Sequence, residues 1–172
     1  MKKLALLLSL ILIFASCGTP SKPEGMSDAQ YKQSLELISK GKEGIKNAKE
    51  GEFPYISYLD VALYSQVLGD NKTAEENYKK ILENDPNDYR GINNLASLYD
   101  ETGEKEKALN GFITLMNLYP DNLEAIKDVV RTSKALKKEA EAEKTLKEFF
   151  EKNQNEFDEK MKTFVLEQIN SL

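Results

Sequence analysis

The chain has 172 residues, 40% hydrophobic and 31% charged, enough for one folded domain plus a targeting segment. Its formal charge of −5 argues against general nucleic-acid binding, which needs a basic footprint. With no His and a single Cys, zinc sites built from His and Cys, His-based triads and intramolecular disulfides are excluded.

Lys2 and Lys3 open the chain, an apolar run from Leu4 to Phe14 follows, and Ala15-Ser16-Cys17 closes the segment. This order reads as an export leader. The run is too short for a transmembrane helix, which takes about 20 apolar residues. Ala15-Ser16-Cys17 resembles the lipobox of bacterial lipoproteins, with Phe14 where that motif usually has Leu. The resemblance implies a signal peptide over residues 1–17, with Cys17 lipidated and forming the mature N-terminus. It also implies a domain held at a membrane of the cell envelope. By resemblance to enteric lipoproteins, the lack of an acidic residue directly after Cys17 implies the outer rather than the inner membrane. An ordinary secretory leader that ends near a cysteine is the alternative, and the only thiol of the chain standing at the lipobox position weighs against it.

Residues 18–26 (GTPSKPEGM) have no apolar periodicity and read as a flexible tether. Fully extended, they reach about 30 Å. Ser27-Asp28-Ala29-Gln30 then forms a capping-box start, and Tyr31, Leu35 and Ile38 recur at helical spacing. Gly41 is expected to end that helix. Ile45 and Ala48 suggest a short second one before Gly51 and Pro54. Residues 27–54 therefore read as a degenerate first unit.

Two copies of one pattern follow, over 55–88 and 89–122. Gly69 recurs as Gly103, Ala74 as Ala108, Tyr78 as Phe112 and Pro86 as Pro120, each 34 residues on. A fixed period of this length marks a stacked repeat. Each landmark has a mechanical reason. The Gly ends the first helix in a left-handed conformation. The Ala lets two antiparallel helices approach, and the aromatic anchors the next helix. The Pro stops the second helix. In the second copy the order Ile92, Leu95-Ala96, Tyr99, Gly103, Ala108, Phe112, Pro120 resembles the tetratricopeptide repeat. The first copy has Ser65 where the family prefers Tyr.

Residues 123–156 read as a third, degenerate copy. Ile126, Val129, Val130 and Ser133 share one face, Lys137 replaces the landmark Gly, and Gln154 stands where the Pro would be. In the last segment, 157–172, Phe157, Met161, Phe164, Val165 and Ile169 lie at helical spacing. That segment is a helix capping the stack, or an amphipathic helix that grips a partner or the membrane surface. The resemblance implies an all-α, right-handed α-solenoid of helix-turn-helix units, with a C-terminal capping helix.

No nucleophile–base pair, Gly-rich phosphate loop or calcium loop is present in the sequence, so neither enzyme activity nor a cofactor or metal is expected. By the family's pattern, the first helices of successive units line a concave wall that binds a peptide or protein segment. Carried over residue by residue, its groove is Leu59 and Leu63, then Arg90, Asn93, Asn94 and Ser97, then Lys127 and Arg131. Lys127 and Arg131 lie four apart and could hold a carboxylate. This resembles the carboxylate clamp of chaperone-binding members, but Leu59 and Leu63 stand where the clamp needs Lys and Asn. The expected role is a lipid-anchored scaffold or adaptor that binds protein and no nucleic acid. The alternative is an accessory or regulatory subunit of a cell-wall or envelope-assembly enzyme, acting by self-association or its convex face.

Overall fold

The computed structural model describes residues 19–172, so the Cys17 anchor and the leader lie outside the described residues. The described chain forms eight helices and no strand. They are α1 (Asp28–Lys46), α2 (Tyr55–Val67), α3 (Asn71–Asn84), α4 (Tyr89–Glu101), α5 (Lys105–Leu118), α6 (Leu123–Leu136), α7 (Glu139–Asn153) and α8 (Glu159–Asn170). Neighbours in sequence pack as antiparallel pairs, and the pairs stack in chain order.

The turns inside the pairs are built alike. Gly69 and Gly103 have φ of 76° and 85°. Their amides donate three residues back, Gly69 N to Gln66 O at 2.9 Å and Gly103 N to Asp100 O at 3.3 Å. The next amides reach five back, Asp70 N to Ser65 O at 2.9 Å and Glu104 N to Tyr99 O at 2.8 Å. This is the Schellman closure, which satisfies the carbonyls left over at a helix end. Lys137 takes the same role in the third pair, with φ 58°, and the amides of Lys137 and Lys138 reach Lys134 O and Ser133 O at 3.1 and 2.9 Å. The loss of the landmark Gly therefore leaves the turn intact, at the expense of a left-handed non-Gly residue.

Inside each pair the small and large landmarks are buried as expected. Ala74, Tyr78 and Ile81 are matched by Ala108, Phe112 and Leu115, and in the third pair by Ala142, Leu146 and Phe149. Gly111 brings α5 against α4 so closely that an added Cβ would stand 2.7 Å from Ala96 Cβ.

The first unit departs from expectation. Helix α1 runs unbroken through Gly41 and Gly44 to Lys46, and no second helix forms around Ile45 and Ala48. Both glycines sit where α1 crosses α2. A Cβ on Gly41 would meet Val61 Cγ2 at 2.7 Å and the Ser57 carbonyl at 2.9 Å, and one on Gly44 would run into Ser57 Oγ. They are contact glycines, not terminators. Gly91, 34 residues after Ser57, faces Leu82 and Ile81 of α3 in the same way. Helix α1 thus stands to α2 as α3 stands to α4, and replaces only the second helix of a preceding unit. Its capping box forms as expected, with Gln30 N donating to Ser27 Oγ at 3.2 Å and Ser27 N to Gln30 Oε1 at 3.1 Å.

At the other end, α8 buries Val165 and Ile169 against α6 and α7. Its cap Asp158 and its core residue Val165 lie 36 residues after Asn122 and Val129. The helix continues the series of first helices at a period lengthened by two.

Candidate binding wall

Bonds between successive first helices define the wall and its register. Gln66 Nε2 of α2 donates to Glu101 Oε2 of α4 at 2.8 Å. Arg131 Nη1 of α6 donates to Asp100 Oδ2 of α4 at 2.8 Å. Lys127 Nζ of α6 lies 5.9 Å above the ring of Phe164 in α8. Along one edge, the first residue of a helix bonds the cap of the next. Tyr55 Oη donates to Asp88 Oδ1 at 3.2 Å, and Asn122 Nδ2 to Tyr89 Oη at 3.3 Å.

The candidate groove residues divide into three groups. Leu59 is 5% exposed and belongs to the hydrophobic core, so it offers no surface to a ligand. Leu63 is half-buried against the same core. Family position predicts both in the groove, and here both pack inward against the core.

Lys127 and Arg131 are present on α6 but are already neutralised. Lys127 Nζ pairs with Glu124 Oε1 at 2.7 Å. Arg131 is forked between Asp100 and Asp128, with Nη2 2.9 Å from Asp128 Oδ1. Asp100 is 15% exposed at its side chain and also takes Lys105 Nζ at 2.7 Å. Burial of Asp100 works to raise its pKa, but the hydrogen bonds and charges of Lys105 and Arg131 outweigh this and hold the carboxyl below its ordinary value. Arg131 is raised in turn by Asp128 and Asp100. The carboxylates that Lys127 and Arg131 hold here come from their own chain.

The middle of the wall remains open. Arg90 is exposed and makes no ion pair or hydrogen bond among the described residues. Asn93 and Asn94 are half-buried, and their amides make one long contact, Asn93 Nδ2 to Asn94 Oδ1 at 3.4 Å. Ser97 lies one turn on in the same helix, also half-buried. Helix α2 in turn exposes Ile56, at 61%. Sequence reasoning left Phe164 out of the groove, because it read α8 as a stack cap or as a helix gripping a partner or the membrane, and not as one of the series of first helices. The signal was available as the 36-residue spacing of Asp158 from Asn122. No group of His, Cys, Asp and Glu with metal-binding geometry occurs among the described residues.

Known proteins agree on the architecture. A family model for the tetratricopeptide repeat matches residues 77–110, from within α3 through α4 into α5. The fold is similar to the crystal structure of MamA protein, with TM-score 0.57 and 15% identity over 70% of this chain and 64% of that one. It is also similar to a tetratricopeptide repeat protein from Parabacteroides merdae, with TM-score 0.57 and 22% identity over 84% of this chain and 60% of that one. The chain spans less than two-thirds of the length of either. No curated protein sequence matches it. Fold and repeat together define the class, an α-solenoid of stacked helix-turn-helix units in which residues 77–110 match the tetratricopeptide repeat.

Proposed function

We propose that the protein is a scaffold of the bacterial cell envelope that captures a peptide or protein segment on the wall formed by α2, α4 and α6. In this reading Cys17 carries lipid and holds the domain at a membrane. The supporting observation is the contrast along the wall. Arg90, Asn93 and Asn94 in α4 are left with unused hydrogen-bonding capacity, while the flanking Lys127 and Arg131 are satisfied internally. Two amides can both donate to and accept from an extended backbone, and a free guanidinium can take a carboxylate. Repeat folds present such surfaces because each unit adds another strip of one face. The membrane part of the reading rests on the Lys2-Lys3, Leu4–Phe14 and Cys17 order.

The test is affinity capture from detergent-solubilised membranes, comparing the full chain with the triple variant Arg90→Glu, Asn93→Ala, Asn94→Ala. Loss of a partner in the variant, with unchanged circular dichroism, is expected. A partner retained in full moves binding off this wall. Radiolabelled fatty acid incorporated by the native chain and absent from Cys17→Ser is the companion result for the anchor.

A further inference from the structure

We propose that the cleft between the α5–α6 turn and α8, at the far end of the wall from its open α4 middle, is a docking site for a basic peptide segment with an apolar centre. The cleft has a volume of about 420 Å³, within the range of small binding sites. Leu123, Phe157, Met161 and Phe164 form its floor. Leu123 is 39% exposed although it is a large apolar residue at a helix start. The floor is held from beneath, since Phe157 tilts against Phe149 with ring centroids 5.8 Å apart. Methionine beside aromatic rings makes a surface that adapts to different apolar side chains.

The rim decides the class of occupant. Asp121, Glu156 and Asp158 line the cleft with three carboxylates, against the ammonium of Lys160 and that of Lys127, which lies 5.9 Å from the Phe164 ring centre and is paired with Glu124. Asp158 is used in part to cap α8, accepting from Met161 N at 2.7 Å. The exposed side chains of Asp121 and Glu156 make no ion pair or hydrogen bond among the described residues. Along the helices, in contrast, acids such as Glu75, Glu143 and Glu159 have a lysine three or four residues on. A rim of this sign repels phosphate and anionic lipid, and favours lysine or arginine flanking an apolar side chain.

The experiment uses the full chain in dodecyl maltoside and two fluorescein-labelled peptides of equal length, read by anisotropy. One carries a Leu-Phe-Leu centre between paired lysines, the other the same centre between paired glutamates. The lysine probe is expected to bind the native chain at least tenfold more tightly than the glutamate probe. The double variant Asp121→Lys, Glu156→Lys is expected to invert that preference, and Lys72→Glu, exposed on α3 outside both the cleft and the wall, to leave it unchanged. Equal binding of the two probes, an unchanged preference in the double variant, or loss on Lys72→Glu overturns the proposal. Should the double variant fold poorly, Leu123→Lys replaces it. Weakening of the lysine probe by at least tenfold supports the cleft, and unaltered binding refutes it.

Discussion

Arg131 of α6 reaches 2.8 Å across to Asp100 of α4, and the two residues stand 31 positions apart in the chain. Their contact joins consecutive repeats at the surface where a ligand was expected to sit. With Lys105 on the other oxygen of Asp100, the carboxylate is the centre of a three-residue bridge.

Removing that carboxylate should loosen the stack. Asp100→Asn is expected to cost about 1–3 kcal/mol at pH 7, because the variant loses hydrogen bonds to two cations at a largely buried site. Urea unfolding monitored by far-ultraviolet circular dichroism measures it. The folded pKa lies below the unfolded one, so the contribution is complete above the ordinary aspartate value near pH 4. It fades as pH falls further, through the folded value. The native chain should therefore lose stability across that acid window more steeply than Asp100→Asn.

The left-handed turn residues give a paired prediction of opposite sign. Gly69→Ala and Gly103→Ala should each destabilise by about 1 kcal/mol, through backbone conformation alone, since space around both glycines is open. Lys137→Gly should stabilise by a similar amount, because it removes the strain that this turn now carries. Thermal melts of the three variants decide it, and a destabilised Lys137→Gly would count against the shared turn.

Within α1 the two glycines should differ. Gly41→Ala meets backbone and a packed Val61, so overpacking of about 1–3 kcal/mol outweighs the gain of about 1 kcal/mol that alanine brings to a helix interior. Gly44→Ala should cost less, because its first obstacle is the Ser57 hydroxyl, which can rotate. Chemical denaturation of the two variants, and of Gly44→Ala with Ser57→Ala, tests the ranking. The double variant should recover the loss.

Thr132 is fully buried, and its hydroxyl has no hydrogen-bond partner among the described residues. Thr132→Val keeps the shape and removes the stranded polar atom, so it should raise stability by about 1 kcal/mol. A lowered melting temperature would show that the hydroxyl is satisfied after all.

The sequence alone was enough for the repeat. Gly69, Ala74, Tyr78 and Pro86 act within one hairpin, through local backbone preference and the volume of a single contact, and such effects leave a fixed spacing behind them. The fold class, the turn glycines and the buried anchors were legible for that reason. What Gly41 does was not, because a glycine that ends a helix and one that admits another helix are the same residue until Val61 is brought against it. The same limit applied to the wall. Leu59 turned inward, and Arg131 found its counter-charge 31 residues away. Lys137 held a glycine's conformation because the rest of its hairpin required it. Each outcome depends on groups that are distant in the chain and adjacent in the stack. Pairwise distances, not residue identities, determined which candidate side chains were left free to bind.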